Sequence, residues 1–166
     1  MKAHSYEKAF LGAAIVVLLA CMGALGFATF VHGIHLPGIA GRIDPAMVRT
    51  TPPFDQPGVQ RIGDNAYRAV LIASAWSFNP PEIRVPAGAE ITFTVTSTDL
   101  LHGFNIEGTR LNMMLVPGQI SENRYTFREP GEYTIICHEY CGLGHHTMFG
   151  RIIVTEPDVE PPASGD

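Results

Sequence analysis

The chain has 166 residues, 16% of them charged and 46% hydrophobic, with a formal net charge of −5. That length accommodates one ordinary domain and an appendage. The acidic balance comes partly from Glu156, Asp158, Glu160 and Asp166 in the closing residues, and no basic stripe is present, so nucleic-acid binding has no support.

Residues 9–31, AFLGAAIVVLLACMGALGFATFV, contain no charge. A run of this length matches the roughly 20 residues that cross a ~30 Å hydrocarbon core as a helix. A cleaved secretory signal normally has a shorter apolar stretch, about 7–15 residues. Leu18-Leu19-Ala20-Cys21 also resembles a lipoprotein cleavage site, although ten apolar or small residues follow Cys21. A retained membrane helix with an inert Cys21 is the reading adopted. Lys2 and Lys8 precede the helix and no basic residue follows it until Arg42, so residues 1–8 are expected in the cytoplasm and the rest outside. Outside, Cys137 and Cys141 could form a plain disulfide.

Residues 32–63 are rich in proline and glycine and read as an extended connection that packs against some surface; Asp44-Pro45 is a candidate cap for one short helical turn. From residue 64 to 155 the pattern is one of strands. Tyr67–Ala73 is apolar, and Glu90–Thr96 alternates, with Ile91, Phe93 and Val95 on one face and threonines on the other, as a half-buried strand does. Pro-Gly turns separate further short strands, the last being Gly150–Val154. The fold class expected is all-β, an antiparallel sandwich or small Greek-key barrel behind one helix. Residues 156–166 read as a disordered acidic tail.

Between the last two strands stands Cys137-His138-Glu139-Tyr140-Cys141-Gly142-Leu143-Gly144-His145-His146-Thr147-Met148. Thiolate, thioether and imidazole donors select copper over the oxygen-seeking metals. Gly142 and Gly144 disfavour a continuous helix, and a tight loop can converge Cys137, Cys141, His145 and Met148 on one point. His102, after the alternating strand, is the candidate ligand from a second loop. Zinc is the rival metal, but a thioether suits copper better, and a mononuclear blue-copper site needs only one cysteine.

His102 followed by Cys137-x-Glu139-x-Cys141-Gly142-x-x-His145-x-x-Met148 resembles the dinuclear copper A site of cytochrome c oxidase subunit II. The similarity extends to Leu101-His102-Gly103-Phe104-Asn105-Ile106 and Glu129-Pro130-Gly131-Glu132-Tyr133, and the single anchor helix is most like the B-type haem-copper oxidases of bacteria. The resemblance implies a cupredoxin fold in which both cysteine sulfurs bridge two copper ions. His102 and Met148 would complete one copper; His145 and the backbone carbonyl of Glu139 would complete the other. It further implies an electron-transfer subunit with no catalytic residue of its own. Electrons would come from a soluble cytochrome c and go to haem in the catalytic subunit I of a proton-pumping translocase in the bacterial plasma membrane. Trp76 is either a packing anchor or, by resemblance, an aromatic beside the copper that helps cytochrome c dock, more by apolar contact than by charge. Leu101, Phe104, Leu143 and Phe149 are expected to exclude water. His145 rather than His146 fits the motif, His138 is expected to face solvent, and Met113 and Met114 read as core filler. A membrane-tethered copper carrier for oxidase assembly is the alternative function.

Overall fold

The computed structural model describes residues 4–31 and 38–157 and divides into two units, one carrying the helix and one the strands. The expected acidic tail therefore lies outside the described residues from Asp158 onward.

The first unit is one α-helix, α1, spanning Ser5–Val31, with none of its residues buried. Its backbone donors and acceptors are satisfied internally and its side chains are apolar on every face, which is the condition for a helix surrounded by lipid. It is long and apolar enough to cross a membrane, and Cys21 lies exposed on it.

The second unit is a β-sandwich. Its strands are β1 (Gly38–Arg42), β2 (Gly58–Gly63), β3 (Ala66–Ser74), β4 (Ser77–Asn79), β5 (Glu82–Pro86), β6 (Glu90–Ser97), β7 (His102–Ile106), β8 (Asn112–Leu115), β9 (Gln119–Thr126), β10 (Gly131–Ile136) and β11 (Phe149–Thr155). One sheet has the order β1-β9-β6-β3-β2, with β4 also paired to β3, and the other β5-β11-β10-β7-β8. Pairing is antiparallel except for β3 with β6 and β5 with β11. Between the sheets lies a core that includes Leu71, Ile91, Phe93, Val95, Phe104, Ile106, Met113, Leu115, Phe127, Ile135 and Ile152. Edge-on rings, Phe78 on Phe104 and Phe93 on Phe127, fill its middle.

Two sequence expectations change. Ile91, Phe93 and Val95 face the core, but Thr92, Thr94 and Thr96 are buried as well, so β6 is covered on both faces. The cover comes from the Pro/Gly-rich segment. Asp44 accepts a hydrogen bond from the Ala46 amide and caps a 3₁₀ turn at Pro45–Thr50. Ile43, Val48 and Phe54 then pack on Val70 and Ile72 of β3, whose register neighbours in β6 are Thr94 and Thr96. The threonine hydroxyls remain satisfied, Thr94 by Glu122 and Thr96 by the Gln119 carbonyl. Residues 38–63, read from sequence as a connection, thus supply two edge strands and a second small apolar cluster. The other difference is Met114, which is exposed, whereas Met113 is in the core as expected: neighbours in a strand face opposite ways.

Candidate metal centre

Loops from three places meet at one end of the sandwich: the β3–β4 turn carrying Trp76, the β6–β7 loop leading to His102, and the β10–β11 loop from Cys137 to Met148. The long loop is closed at its base by a Cys137 amide hydrogen bond to the Met148 carbonyl. Within it, a short 3₁₀ turn at His145–Thr147 brings Met148 back under Cys141. Gly142 has φ +112°, a conformation that a side chain resists.

Cys137 and Cys141 are buried and not bonded to each other, their sulfurs 3.7 Å apart. The disulfide expected as the plain alternative is not the arrangement found. Around Cys137 Sγ lie His102 Nδ1 at 3.9 Å and the Glu139 carbonyl oxygen at 3.2 Å. Around Cys141 Sγ lie His145 Nδ1 at 3.6 Å and Met148 Sδ at 3.8 Å. All six groups singled out in the sequence therefore converge, and His102, Cys137 and Cys141 present donor atoms within 4.8 Å of one another. His146 is exposed, whereas His145, whose Nδ1 is the imidazole nitrogen beside Cys141 Sγ, is half-buried, with Tyr140 edge-on at 5.8 Å. His138 lies over Gly103 beside the Glu139 carboxylate at 3.6 Å.

Burial, with the adjoining Cys137 sulfur, pushes the Cys141 thiol up to about 11. A metal that binds here must displace that proton, and a thiophilic cation is the kind that can. The Gly103 amide donates to Cys137 Sγ at 3.4 Å and so helps to fix the position of that sulfur. Soft sulfur and imidazole donors without a first-rank carboxylate suit copper; the set fits.

Asp99 is a contributor that sequence reasoning missed. Its carboxylate accepts from the amides of Ala75 and Leu100 and pairs with His102 Nε2 at 2.9 Å, which leaves Nδ1 directed at the sulfurs. Burial raises the Asp99 carboxyl, but the His102 hydrogen bond and the two amides outweigh it and hold the group below its ordinary value. A lowered carboxyl stabilises the fold above the unfolded value, about 4, and that contribution disappears as pH falls through the lower folded value. In metal-stripped protein, Asp99→Asn is expected to lower Tm at neutral pH, with the difference from the parent shrinking under acid; an unchanged difference across a thermal-melt pH series would contradict this. In loaded protein the same substitution is expected to weaken metal retention by about 10–100-fold.

Trp76 donates its indole N–H to the Cys141 carbonyl at 2.9 Å, and its ring lies against Gly142 and Gly144, where an added Cβ on Gly144 would come within 2.4 Å of it. It is nonetheless 41% exposed, so it is both a packing anchor and an outward surface. The shielding expected from Leu101, Phe104, Leu143 and Phe149 holds only for Phe104, which is buried. Leu101, Leu143 and Phe149 are exposed, as are Trp76 and Tyr140.

The profile described as "Cytochrome C oxidase subunit II, periplasmic domain" matches residues 79–156. Cytochrome c oxidase subunit 2 of Thermus thermophilus is 43% identical over 163 residues, covering 93% of this chain and 97% of that protein. Among solved structures, a chain of a heme-copper terminal oxidase dimer superposes with a TM-score of 0.73 at 34% identity, covering 90% of this chain and 99% of the other. The periplasmic domain of subunit II of cytochrome oxidase from Bradyrhizobium japonicum reaches 0.50 at 20% identity over 54% of this chain and 83% of its own, a likeness of fold alone and one that makes the sandwich cupredoxin-like. Identity of 43% along nearly the full length of both chains goes beyond a shared architecture, and this chain belongs to the cytochrome c oxidase subunit 2 family.

Proposed function

We propose that this chain is the electron-receiving subunit of a terminal cytochrome c oxidase and holds a dinuclear copper A centre. Family membership supports a place in a haem-copper oxidase beside the catalytic subunit I. The observation that carries the dinuclear reading is the pair of unbonded sulfurs 3.7 Å apart, ringed by two imidazole nitrogens, a thioether and a carbonyl. Cys137 and Cys141 would bridge both ions; His102 and Met148 would complete one, and His145 with the Glu139 carbonyl the other. When bound, such a pair supplies a one-electron centre that a soluble cytochrome c can reduce and haem of subunit I can reoxidise, oxygen reduction and proton pumping belonging to the partner.

The chain's own part is to keep these donors still. His102 opens strand β7 and the other donors come from the β10–β11 loop, pinned at both ends by strands, so a change of charge at the centre meets little rearrangement. Asp99 fixes the His102 ring, Gly103 N–H steadies the Cys137 sulfur, and Trp76 ties the Cys141 carbonyl to the outer surface. Trp76, Leu101, Leu143 and Phe149 are exposed apolar side chains in or beside the loops that carry the donors, and they would supply the apolar contact with cytochrome c. Helix α1 would anchor the domain in the bacterial plasma membrane, with the N-terminus cytoplasmic.

Reconstituted oxidase tests the route. Trp76→Phe keeps a ring but removes one hydrogen bond, a loss of about 1 kcal/mol; Trp76→Ala removes the surface too. We expect copper content to survive in both and cytochrome c oxidation to fall by roughly tenfold in Trp76→Ala, an amount equal to about 1.4 kcal/mol, with raised salt having the smaller effect. Oxidation abolished by salt yet unchanged by Trp76→Ala would replace apolar docking with charge. A strong copper chelator separates this role from that of a membrane-tethered copper carrier: rapid loss of copper marks the carrier, retention the electron-transfer centre.

A further inference from the structure

At the other end of the sandwich, a cavity of about 590 Å³ is lined by Arg110, Arg124, Arg128, Tyr125, Tyr133 and Glu90, among others. Glu90 opens β6 and Ser97 closes it on the metal side, so the two sites are about 23 Å apart at 3.3 Å per strand residue. Two of its lining rings, Tyr125 and Tyr133, pack on the fully buried Phe127, with ring centroids 4.9 and 4.8 Å away. Tyr133 is further fixed by its hydroxyl, which donates to the Glu129 carbonyl. Arg124 lies 3.5 Å from the Glu90 carboxylate. Arg110 and Arg128 have no ion pair among the described residues. The lining also holds Glu129, so Arg110 and Arg128 stand against one further carboxylate, and their fork geometry is suited to recognising planar carboxylates.

The chain itself leaves the sandwich beside this cavity. The Thr155 carbonyl, at the end of β11, accepts from the Ala87 amide, and the next amide, Gly88, donates to the Phe127 carbonyl. Phe127 directly precedes Arg128. The sequence that follows Pro157 carries Asp158, Glu160 and Asp166, and nine residues can extend about 30 Å.

We propose that the arginine cavity is a binding site for a carboxylate-bearing peptide and that its occupant is the acidic segment 158–166 of the same chain. Exposed ion pairs contribute only about 0–1 kcal/mol each, too little to hold a free peptide firmly. A segment tethered at Pro157 instead presents its carboxylates at an effective concentration in the millimolar range. None of the residues lining the cavity belongs to the metal loops.

Full-length chain in detergent, with copper absorption as the folding check, provides the test. A fluorescent peptide of residues 156–166 is titrated into the parent and into the Asp158→Asn/Glu160→Gln/Asp166→Asn variant, at low salt. The neutralised variant is expected to bind the peptide roughly tenfold more tightly than the parent, whose cavity is filled in cis. Adding Arg110→Gln and Arg128→Gln to the neutralised chain is expected to remove that binding, as is raised salt. Absent binding to the neutralised variant, equal binding by the two tails, or indifference to the arginine substitutions would each overturn the assignment. Inorganic phosphate bound equally by parent and neutralised chains would mark an open anion site and overturn the tethered occupant.

Discussion

Cys141→Ser is expected to end cytochrome c oxidation by the assembled oxidase and to leave the chain with at most one copper ion. Cys141 Sγ is the atom from which Cys137 Sγ, His145 Nδ1 and Met148 Sδ are all within 3.8 Å. A serine oxygen is a hard donor that stays protonated, so it neither bridges nor holds the soft ion beside it. Outer-shell changes around a metal cost about 10–100-fold in affinity or activity, and loss of a bridging ligand is expected to exceed that. The strands do not depend on this sulfur, so far-ultraviolet circular dichroism should match the parent. Retained two-copper stoichiometry with retained turnover, read by elemental analysis and oxygen uptake, would remove Cys141 from the centre.

Gly103→Ala carries the second large effect. An added Cβ would sit 2.7 Å from the backbone nitrogen of His138 and equally near two of its ring atoms. The ring could swing aside, but the nitrogen cannot, because β7 and β10 are held in register at Ile136 and Asn105 immediately before the loop. Cys137 would have to move away from β7, and with it from the Gly103 amide and from His102. Overpacking of this kind costs about 1–3 kcal/mol, or roughly 3–10 °C in Tm for a domain of this size. Copper loading should fall as well. Because the backbone is the obstacle, His138→Ala added to Gly103→Ala should restore little; full rescue by the double variant would show that the ring alone was in the way.

The legible parts of this protein were the local ones. A charge-free run marks α1, and a dense loop of sulfur and imidazole donors marks the candidate metal centre, since in each case most of the chemistry is contiguous in sequence. His145 could be separated from His146 by its position in the motif, and the structure places it, not His146, at the sulfur. Contacts made across the sandwich left no such mark. Asp99 reads as an ordinary loop acidic residue until Ala75, Leu100 and His102 are seen to share it; an aspartate three positions before a candidate ligand was the available signal. The threonine face of β6 reads as solvent-facing because threonine is polar, and only the position of Ile43, Val48 and Phe54 shows it covered. Those three residues follow no strand or helix period, and prolines and glycines surround them, so the segment that provides two strands reads as a connection. The exposure of Leu143 and Phe149 was likewise hidden, since apolar residues beside a metal suggest shielding until the loop's direction is known.

Copper content and electron paramagnetic resonance of the oxidised, full-length chain test the central claim most directly. The account predicts two copper ions per chain and a hyperfine pattern from one unpaired electron shared between two copper nuclei. A single copper with its own four-line signal, a zinc ion in its place, or a Cys137–Cys141 disulfide in the fully loaded protein would contradict it.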